Sequence, residues 1–350
     1  MKRDLSRREF LKASVQAALG GFITVNALFK NPLATNVDPT SPLLGRVFHH
    51  DTIIYKEPSF SSQVKQYLKM NEVLPLGNEV MGDAINAHNH SWFEVPNYGY
   101  LPANSIQPVR RQITAVRDHI QANRELGVIS VPYTQAWTAD PSKASEEDYQ
   151  LFFYGSTHWI VGVYSENNGD IYYKVREDRW GDIYYVEANH VALLNEDDLL
   201  PFSTDVPPEE KMIEVIIEDQ MVIAYEYGKA VFMSIASTGI LDDGIDLSTS
   251  PGSYHINYKR PSRHMVHTDL IGDNDNDNEL YGVPWVSYFT SSGIAFHGTY
   301  WHNDFGTQRS HGCVNLPIQA ARWIYLWSQP VVPPSQEKFV SNKGTLVIVT

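Results

Sequence analysis

Short runs of apolar and aromatic residues, separated by turn-forming residues, follow one another along most of the chain from residue 45 onward. Over residues 45–109 these runs include TIIYKEPS, VLPLG and HSWFEVP, and they alternate with residues that favour turns. Short strand-like runs bounded by turn residues are typical of small all-β domains. The pattern predicts a small β-barrel over residues 45–109.

A second strand-rich block covers residues 127–203. Its runs LFFYGSTHWIVGVYS, IYYKV and IYYVEANHVALL are rich in β-branched and aromatic residues, which favour strands. The Asn168-Gly169 pair between two of these runs is a strong hairpin signal. Between the two blocks, the stretch ITAVRDHIQANREL predicts a short helix over residues 113–126.

A third block begins after a proline-rich and acidic junction at residues 205–211. From residue 212 the pattern predicts two strands joined by a turn at Gly228, and WVSYFTSSGIAFHG predicts two more strands around Ser292-Gly293. The stretch IQAARWIYLWS has helical spacing, and GTLVIVT predicts a final strand. We therefore predict a mainly β protein whose C-terminal domain, residues 211–350, contains a short helix.

The first 34 residues have the layout of an export signal. A basic start containing Arg7-Arg8 precedes a moderately apolar run over residues 13–29. This segment resembles a twin-arginine signal, including Phe10 and Leu11 after the arginine pair. The resemblance implies the twin-arginine translocase as a partner during export and a location in the cell envelope, in the periplasm, the cell wall or on the extracellular face. The alternative is a basic amphipathic helix at the start of a cytoplasmic protein.

Charge and cysteine content narrow the possible functions. The formal net charge of −14, from 41 acidic and 27 basic residues, argues against a nucleic-acid partner, because phosphates favour a basic surface. The chain has a single cysteine, Cys313, so no intramolecular disulfide is possible. Outside the reducing cytoplasm an idle exposed thiol is a liability. Cys313 is therefore expected to have a chemical function or to be buried.

Two glycine- and histidine-containing motifs indicate what this function is. Cys313 lies in SHGCVN at residues 310–315, and HGT at residues 297–299 lies just upstream. A nucleophilic thiol needs a base and donors for an oxyanion. His297 or His311 could supply the base, and Gly298 and Gly312 allow the backbone to approach a reacting carbonyl closely. A lone thiol could be a nucleophile, a metal ligand or a buried small residue, and these two motifs favour the nucleophile over a structural cysteine.

These motifs resemble the signature of the L,D-transpeptidase catalytic domain, and the resemblance covers residues 212–350. It implies that Cys313 is the nucleophile, that His297 ionises it and later acts as the acid, and that the Gly298 carbonyl orients the imidazole. Backbone amides near Gly312 and Cys313 would form the oxyanion hole. His311 and Asn315 also match signature positions, although many members carry Arg where Asn315 stands.

The resemblance implies acyl transfer on peptidoglycan stem peptides. Cys313 would attack the carbonyl of the third residue of a stem tetrapeptide and expel D-Ala, and an amine of a second stem would accept the acyl group in a 3→3 cross-link. Water as the acceptor would make the protein an L,D-carboxypeptidase, and acylation by carbapenems is implied too. The segment 300–306 is expected to be a substrate-facing loop or lid, or else a packed surface loop. The expected substrate-binding residues are Tyr288, Tyr300, Trp301, Ser310 and Asn315.

The first block resembles the SH3-like domains of bacterial cell-envelope proteins. The resemblance rests on an aromatic residue near Pro58-Ser59, a Trp92-Phe93 strand and the run GYLP at 99–102. Residues 132–133 and 184–186 echo parts of it, so the second block is possibly SH3-like as well. These domains are expected to bind peptidoglycan or to act as spacers. The fold class is thus one or two N-terminal SH3-like barrels followed by a C-terminal β-sandwich catalytic domain.

Several other interpretations of the sequence have weaker support than the L,D-transpeptidase resemblance. The acidic run GDNDNDNE imitates a calcium loop, but its sixth position is Asn278 and its twelfth is Pro284. We expect no metal and no cofactor.

A papain-like peptidase normally has its cysteine before its histidine, and a sortase needs an arginine near the thiol, whereas Arg322 falls in the predicted helix. A non-catalytic wall-binding protein is the third alternative. Lys259, Arg260 and Arg263 are expected on a loop, and the oligomeric state is left open.

Overall fold

The computed structural model of this protein describes residues 41–121, 123–145, 148–242, 245–266, 279–334 and 336–350. The predicted export signal at residues 1–34 and the acidic run at 272–279, apart from its last residue, lie outside the described residues. The described chain is mainly β, as predicted, and its strands form three consecutive groups, each with its own apolar core.

The first group contains eight strands that form two antiparallel sheets, ordered β4-β1-β8 and β3-β2-β7-β6-β5. The strands are β1 Leu43–Val47, β2 Thr52–Tyr55, β3 Val64–Leu68, β4 Val73–Pro75, β5 Glu79–Asn86, β6 Asn89–Val95, β7 Gly99–Pro102 and β8 Ile106–Arg110, with a 3₁₀ turn at Ala103–Ser105. Val47, Phe93, Leu101 and Ile106 are among the side chains of the core between the sheets. The group is hereafter called the N-terminal barrel domain after the predicted barrel; the closure of its two sheets into a barrel and its likeness to SH3 domains stay predictions.

The predicted helix at residues 113–126 is wrong. Its described residues contain no helix: residues 113–117 are irregular, bends lie at 118–119, and β9 begins at Glu125. The segment contains four β-branched residues, Ile113, Thr114, Val116 and Ile120, which disfavour a helix, and tertiary hydrogen bonds replace the helical ones. The Thr114 N–H donates to Asn189 O over 3.0 Å, and its hydroxyl donates to Val191 O over 2.8 Å.

The second group is one antiparallel seven-stranded sheet with the order β11-β10-β14-β13-β12-β9-β15. Its strands are β9 Glu125–Ile129, β10 Tyr133–Trp137, β11 Tyr149–Phe153, β12 Thr157–Ser165, β13 Ile171–Arg176, β14 Ile183–Glu187 and β15 Val191–Leu193, and 3₁₀ turns lie at Ala188–His190, Glu196–Leu199 and Pro208–Glu210. The predicted hairpin at Asn168-Gly169 joins β12 to β13 and is confirmed. Gly169 has a φ of +95°, which glycine adopts without strain.

The third group forms two five-stranded sheets, ordered β18-β17-β16-β27-β21 and β25-β24-β23-β22-β26, with a small β19–β20 hairpin beside them. Its strands are β16 Lys211–Ile216, β17 Met221–Glu226, β18 Lys229–Ile235, β19 Leu241–Asp242, β20 Ile245–Asp246, β21 Gly252–His255, β22 Tyr258–Val266, β23 Glu279–Tyr288, β24 Ala295–Gly298, β25 Val314–Leu316, β26 Phe339–Val340 and β27 Leu346–Val349. The segment predicted to hold two strands around Gly228 holds three, since a further turn at Gln220 separates β16 from β17.

The predicted C-terminal helix is confirmed as α1, Ile318–Trp327, which packs on β23 and β24. Two buried lysines cap its C-terminal end: Lys259 Nζ donates to Ser328 O over 2.8 Å and also to Tyr325 O, and Lys211 Nζ donates to Trp327 O over 3.0 Å. Cations are favourable at this end of a helix because its last carbonyls lack partners. Lys259, Arg260 and Arg263 lie on strand β22, which corrects the loop expected there, and the first two are buried.

Truncation of the helix core should destabilise the fold. We expect Ile324→Ala to lower the free energy of unfolding by about 3 kcal/mol, because the Ile324 side chain is fully buried and a cavity would remain. Urea denaturation followed by tryptophan fluorescence measures this loss. Val340→Ala is the control, since Val340 is 66% exposed, and it should unfold like the wild type. Equal midpoints for the two variants would contradict the packing described here.

Candidate active site

The two histidine-glycine motifs meet because β24 and β25 pair in parallel, with Phe296 opposite Val314 and His297 opposite Asn315. Neighbouring side chains of a strand point to opposite faces of the sheet. Phe296 and Val314 share the main core with α1, whereas Ala295 and Cys313 belong to a smaller apolar cluster. Since Ala295 and His297 lie two residues apart on one strand, the imidazole and the thiol are on the same face of this sheet.

The Cys313 thiol is half-buried beside the side chains of Val283, Val286 and Ala295, against which Tyr288 and Trp301 also pack. The sulfur lies 3.8 Å from Gly293 O, within reach of a weak S–H···O hydrogen bond. These apolar surroundings raise the pKa of the Cys313 thiol to about 11, because desolvation disfavours the thiolate. A hydrogen bond from the Ala295 backbone acts in the opposite direction and lowers the pKa of the thiol.

The His297 ring is almost fully buried, and its Nδ1 lies 3.2 Å from the carbonyl of Gly298. A neutral ring that donates from Nδ1 keeps Nε2 as a proton acceptor. Burial lowers the pKa of His297 to about 4, and the hydrogen bond to Gly298 opposes this shift. The Trp301 ring covers the imidazole, with the ring centres 5.6 Å apart.

Together these shifts put the resting proton on sulfur. With the pKa of Cys313 near 11 and that of His297 near 4, both groups are neutral at pH 7. This differs from the thiolate expected from the sequence, since both side chains lie in surroundings that disfavour charge. The imidazole is thus a neutral base that can take the proton while the sulfur attacks.

The turn before the thiol is held by its own hydrogen bonds. Ser310 is buried, its hydroxyl donates to Cys313 O, and it accepts the Gly312 N–H over 3.2 Å. Gly312 has a φ of +112°, and its carbonyl accepts from Thr249 Oγ1 over 2.8 Å. The Gly312 N–H, an expected oxyanion donor, is thus engaged with Ser310 in this state. His311, the other candidate base, is exposed at the surface of the turn.

Asn315 is buried behind the thiol and contacts a histidine that the sequence analysis did not select. Its side-chain amide lies 2.8 Å from His302 Nε2. The Asp304 N–H donates to His302 Nδ1 over 3.2 Å, so both ring nitrogens of His302 have polar partners. Burial lowers the pKa of His302 to about 3 and keeps the ring neutral. A substrate contact by Asn315 stays a prediction.

Most of the expected lid is packed rather than free to face a substrate. Residues 300 and 302–305 are buried, Trp301 and Gly306 are half-buried, and residues 307–309, which follow the segment, are exposed. Tyr300 in particular is 3% exposed, and its hydroxyl donates to Tyr281 O over 2.7 Å. Its position corrects the substrate-facing role expected for it. The N-terminal barrel domain, which is distant in sequence, contacts this loop and forms hydrogen bonds with it.

Tyr288 and Trp301 are the expected substrate-binding residues that the structure brings next to Cys313. Both pack on the apolar cluster that contains the thiol, and both are half-buried. Tyr288 also stacks on Tyr258 with ring centres 5.2 Å apart. Burial raises the pKa of Tyr288 to about 12, so its hydroxyl is a neutral donor at pH 7. These two rings can form an apolar wall beside a substrate carbonyl.

Comparison with known proteins agrees with this geometry. Residues 210–349 match the YkuD family model, which describes an L,D-transpeptidase catalytic domain. These residues are an L,D-transpeptidase catalytic domain of the YkuD family. A protein described as a candidate L,D-transpeptidase, YciB of Bacillus subtilis (strain 168), is 24% identical over 131 residues, 35% of this chain and 62% of that protein. The chain thus matches less than two thirds of this relative's length.

Solved L,D-transpeptidase structures are similar to this domain. The catalytic domain of an Enterococcus faecium L,D-transpeptidase is 21% identical with a TM-score of 0.30, and the match covers 41% of this chain and 98% of that one. L,D-transpeptidase 3 of Mycobacterium tuberculosis is 19% identical with a TM-score of 0.32, and the match covers 51% of this chain and 78% of that one.

In the described part of the chain, no three His, Cys, Asp or Glu side chains are grouped so that they could hold a metal ion. Among those residues, too, no helix combines the length and the apolar character needed to cross a bilayer.

Sequence reasoning missed the supporting residues around the thiol, namely Gly293, Thr249 and His302. Their partners lie 20, 63 and 13 residues away along the chain. His302 alone had a local signal, because it lies between the two motifs.

Proposed function

We propose that the protein is a cysteine L,D-transpeptidase that cross-links peptidoglycan stem peptides through a thioester on Cys313. One observation carries the proposal: a thiol and an imidazole share one face of a sheet in a domain of this family, with Gly298 O fixing the ring so that Nε2 can accept a proton. The alternative of a scaffold that only binds the cell wall leaves this arrangement without a purpose.

In the acylation step, Cys313 Sγ bonds to the carbonyl carbon of the third stem residue while the thiol proton passes to His297 Nε2. The tetrahedral intermediate then collapses, the bond to the terminal D-Ala nitrogen breaks, and Nε2–H protonates the leaving amine. A neutral thiol and a neutral imidazole are compatible with this step, because no ion pair between them has to be separated before the sulfur attacks. Backbone N–H groups of the turn at 310–313 would stabilise the oxyanion, which requires the Gly312 N–H to leave Ser310.

In the transfer step, an amine of a second stem attacks the thioester and gives its proton to His297 Nε2. The carbon–sulfur bond breaks, and the thiol recovers the proton from the imidazole. With a second stem as the acceptor the product is a 3→3 cross-link, whereas water would give a shortened stem. The apolar rings of Trp301 and Tyr288 beside the thiol favour an acceptor over bulk water, which supports the transpeptidase over the carboxypeptidase.

The proposed substrate implies a location in the cell envelope, since peptidoglycan lies outside the cytoplasmic membrane. The twin-arginine-like segment at residues 1–34 supports the proposal that the translocase of that pathway exports the protein.

Incubation of the full chain with a disaccharide tetrapeptide, with products resolved by mass, tests the activity. We expect a dimer whose mass is that of two substrates minus one D-Ala. A disaccharide tripeptide as the only product would replace the transpeptidase with a carboxypeptidase. Unchanged substrate, together with the absence of a carbapenem adduct on Cys313, would overturn the enzyme assignment.

A further inference from the structure

The N-terminal barrel domain grips the loop between the two halves of the catalytic motif. We define this loop, residues 300–307, as the bridging loop. Arg46 of β1 donates from Nη2 to Tyr300 O over 2.6 Å, and its Nε donates to Gln107 Oε1 over 3.0 Å. The guanidinium also lies 4.3 Å from the centre of the Phe153 ring, in the second domain. Arg46 is thus buried where all three domains meet.

Three further contacts fix the middle of the loop. Asn104 Nδ2 donates to the Asp304 carboxylate over 2.6 Å, and Asn303 Nδ2 donates to Ala103 O over 3.0 Å. Asn86, at the end of β5, donates to Phe305 O over 3.2 Å. Hydrogen bonds to a carboxylate are about twice as strong as those between neutral groups. Those of Arg46 and Asn303 are buried and shielded from competing water.

Residues of the bridging loop that contact the site lie one or two positions from the residues bound by the N-terminal barrel domain. Trp301, next to Tyr300, covers the His297 ring and packs on the apolar cluster that contains Cys313. His302 contacts the side chain of Asn315, which lies opposite His297 in the β24–β25 ladder. A shift of the bridging loop would therefore move the cover of the imidazole and a support of the strand that follows the thiol.

We propose that the N-terminal barrel domain is part of the catalytic apparatus, and that Asn104 and Arg46 are positioning residues that hold the thiol and the imidazole through the bridging loop. The inference deepens the proposed function and rests on it for the meaning of the positioning. It differs from the spacer and wall-binding roles expected for this domain, because it assigns the domain a task inside the active site.

Asn104→Asp in the full chain tests the proposal. The substitution preserves size but sets a second carboxylate against that of Asp304, which is already paired with Arg309, so a hydrogen bond is replaced by repulsion between like charges. Asn97→Asp is the matched control, because Asn97 is exposed in a turn of the same domain. Cys313 is the only cysteine, so iodoacetamide alkylation followed by mass reports this thiol alone.

We expect Asn104→Asp to lower kcat at least about 10-fold with little change in KM, because an effect on the reacting groups rather than on substrate binding appears in kcat. Loosening of the Trp301 cover lets water reach the sulfur, so the alkylation midpoint should fall by about one pH unit. A purely structural role would lower the melting temperature and move neither readout. Asn97→Asp should behave like the wild type.

Identical alkylation profiles and kcat for the two Asp variants, with Asn104→Asp folded, would overturn the positioning role. Should Asn104→Asp fail to fold, Asn86→Ala decides, since it removes the bonds to Phe305 O and Thr307 Oγ1 and, within its own domain, only the local bond that Asn86 Oδ1 accepts from the His88 N–H; a profile equal to that of the wild type would then overturn the proposal. If the wild type itself makes no product from the tetrapeptide, the proposed activity fails, and the alkylation profiles still decide whether the barrel domain positions the thiol.

Discussion

Replacing Cys313 with serine is expected to reduce turnover of a disaccharide tetrapeptide by more than about 1000-fold, as loss of a catalytic nucleophile does in other acyl-transfer enzymes. A serine hydroxyl is far less acidic than the thiol, and the base beside it is weak. Burial lowers the pKa of His297 to about 4, which leaves the imidazole little affinity for a proton. An alcohol in this position would hardly be activated, whereas a thiol with a pKa of about 11 can still transfer its proton during attack.

The measurement is the rate of dimer formation resolved by mass, together with the mass of the protein after incubation with a carbapenem. Wild-type protein should gain the adduct and Cys313→Ser should not. Ser292→Ala is the control, because Ser292 is exposed in the turn between β23 and β24, close to the site in sequence. Turnover by Cys313→Ser within 10-fold of the wild type would remove the thioester from the mechanism.

Replacing His297 with glutamine is expected to lower kcat/KM by about 100- to 10,000-fold, the usual contribution of a general base. Glutamine is close in size to histidine but cannot accept a proton at pH 7. The chemistry would then depend on the small fraction of Cys313 that is already ionised. At pH values below the pKa of the thiol, which is about 11, the ionised fraction grows about 10-fold for each unit by which the pH rises.

The two pH profiles should therefore separate. Wild-type kcat/KM should be level in the neutral range and fall below pH about 4, because a protonated imidazole cannot act as a base. In His297→Gln the rate should rise steadily with pH instead. Burial sets the pKa of nearby His302 near 3 and that of Tyr288 near 12, so neither titrates within the neutral range.

His255→Gln is the control for these profiles, because His255 is exposed on β21. It should retain the wild-type profile. A wild-type profile that rises through pH 8 and 9, with the same slope as that of His297→Gln, would show that the imidazole is not the base.

Local pattern predicted the elements of the catalytic domain well. The structure confirms the strands on both sides of Ser292-Gly293, the helix at 318–327 and the last strand. In each of them the spacing of apolar positions fits one type of element. Pattern failed at residues 113–126. There the spacing fits a helix, but side chains and backbone of the second domain offer Thr114 and Arg117 other hydrogen-bond partners.

The bridging loop shows the same limit at the site. Aromatic residues and glycine at 300–306 fit both a substrate-facing lid and a packed loop, and the sequence favoured the lid. The choice depends on Arg46 and Asn104, which lie 254 and 200 residues away from their partners along the chain. No periodicity reports a contact over such a separation.

By itself, the sequence determined the mainly β architecture and the pair Cys313 and His297 in glycine-bounded motifs, because both are properties of neighbouring residues. Only the tertiary structure decided that the thiol and imidazole rest uncharged, since pKa values depend on which apolar groups surround a side chain. It also decided that the loop between the motifs is held by the first domain. Burial and distant hydrogen bonds arise only when the strands have packed, and they are set by the whole fold.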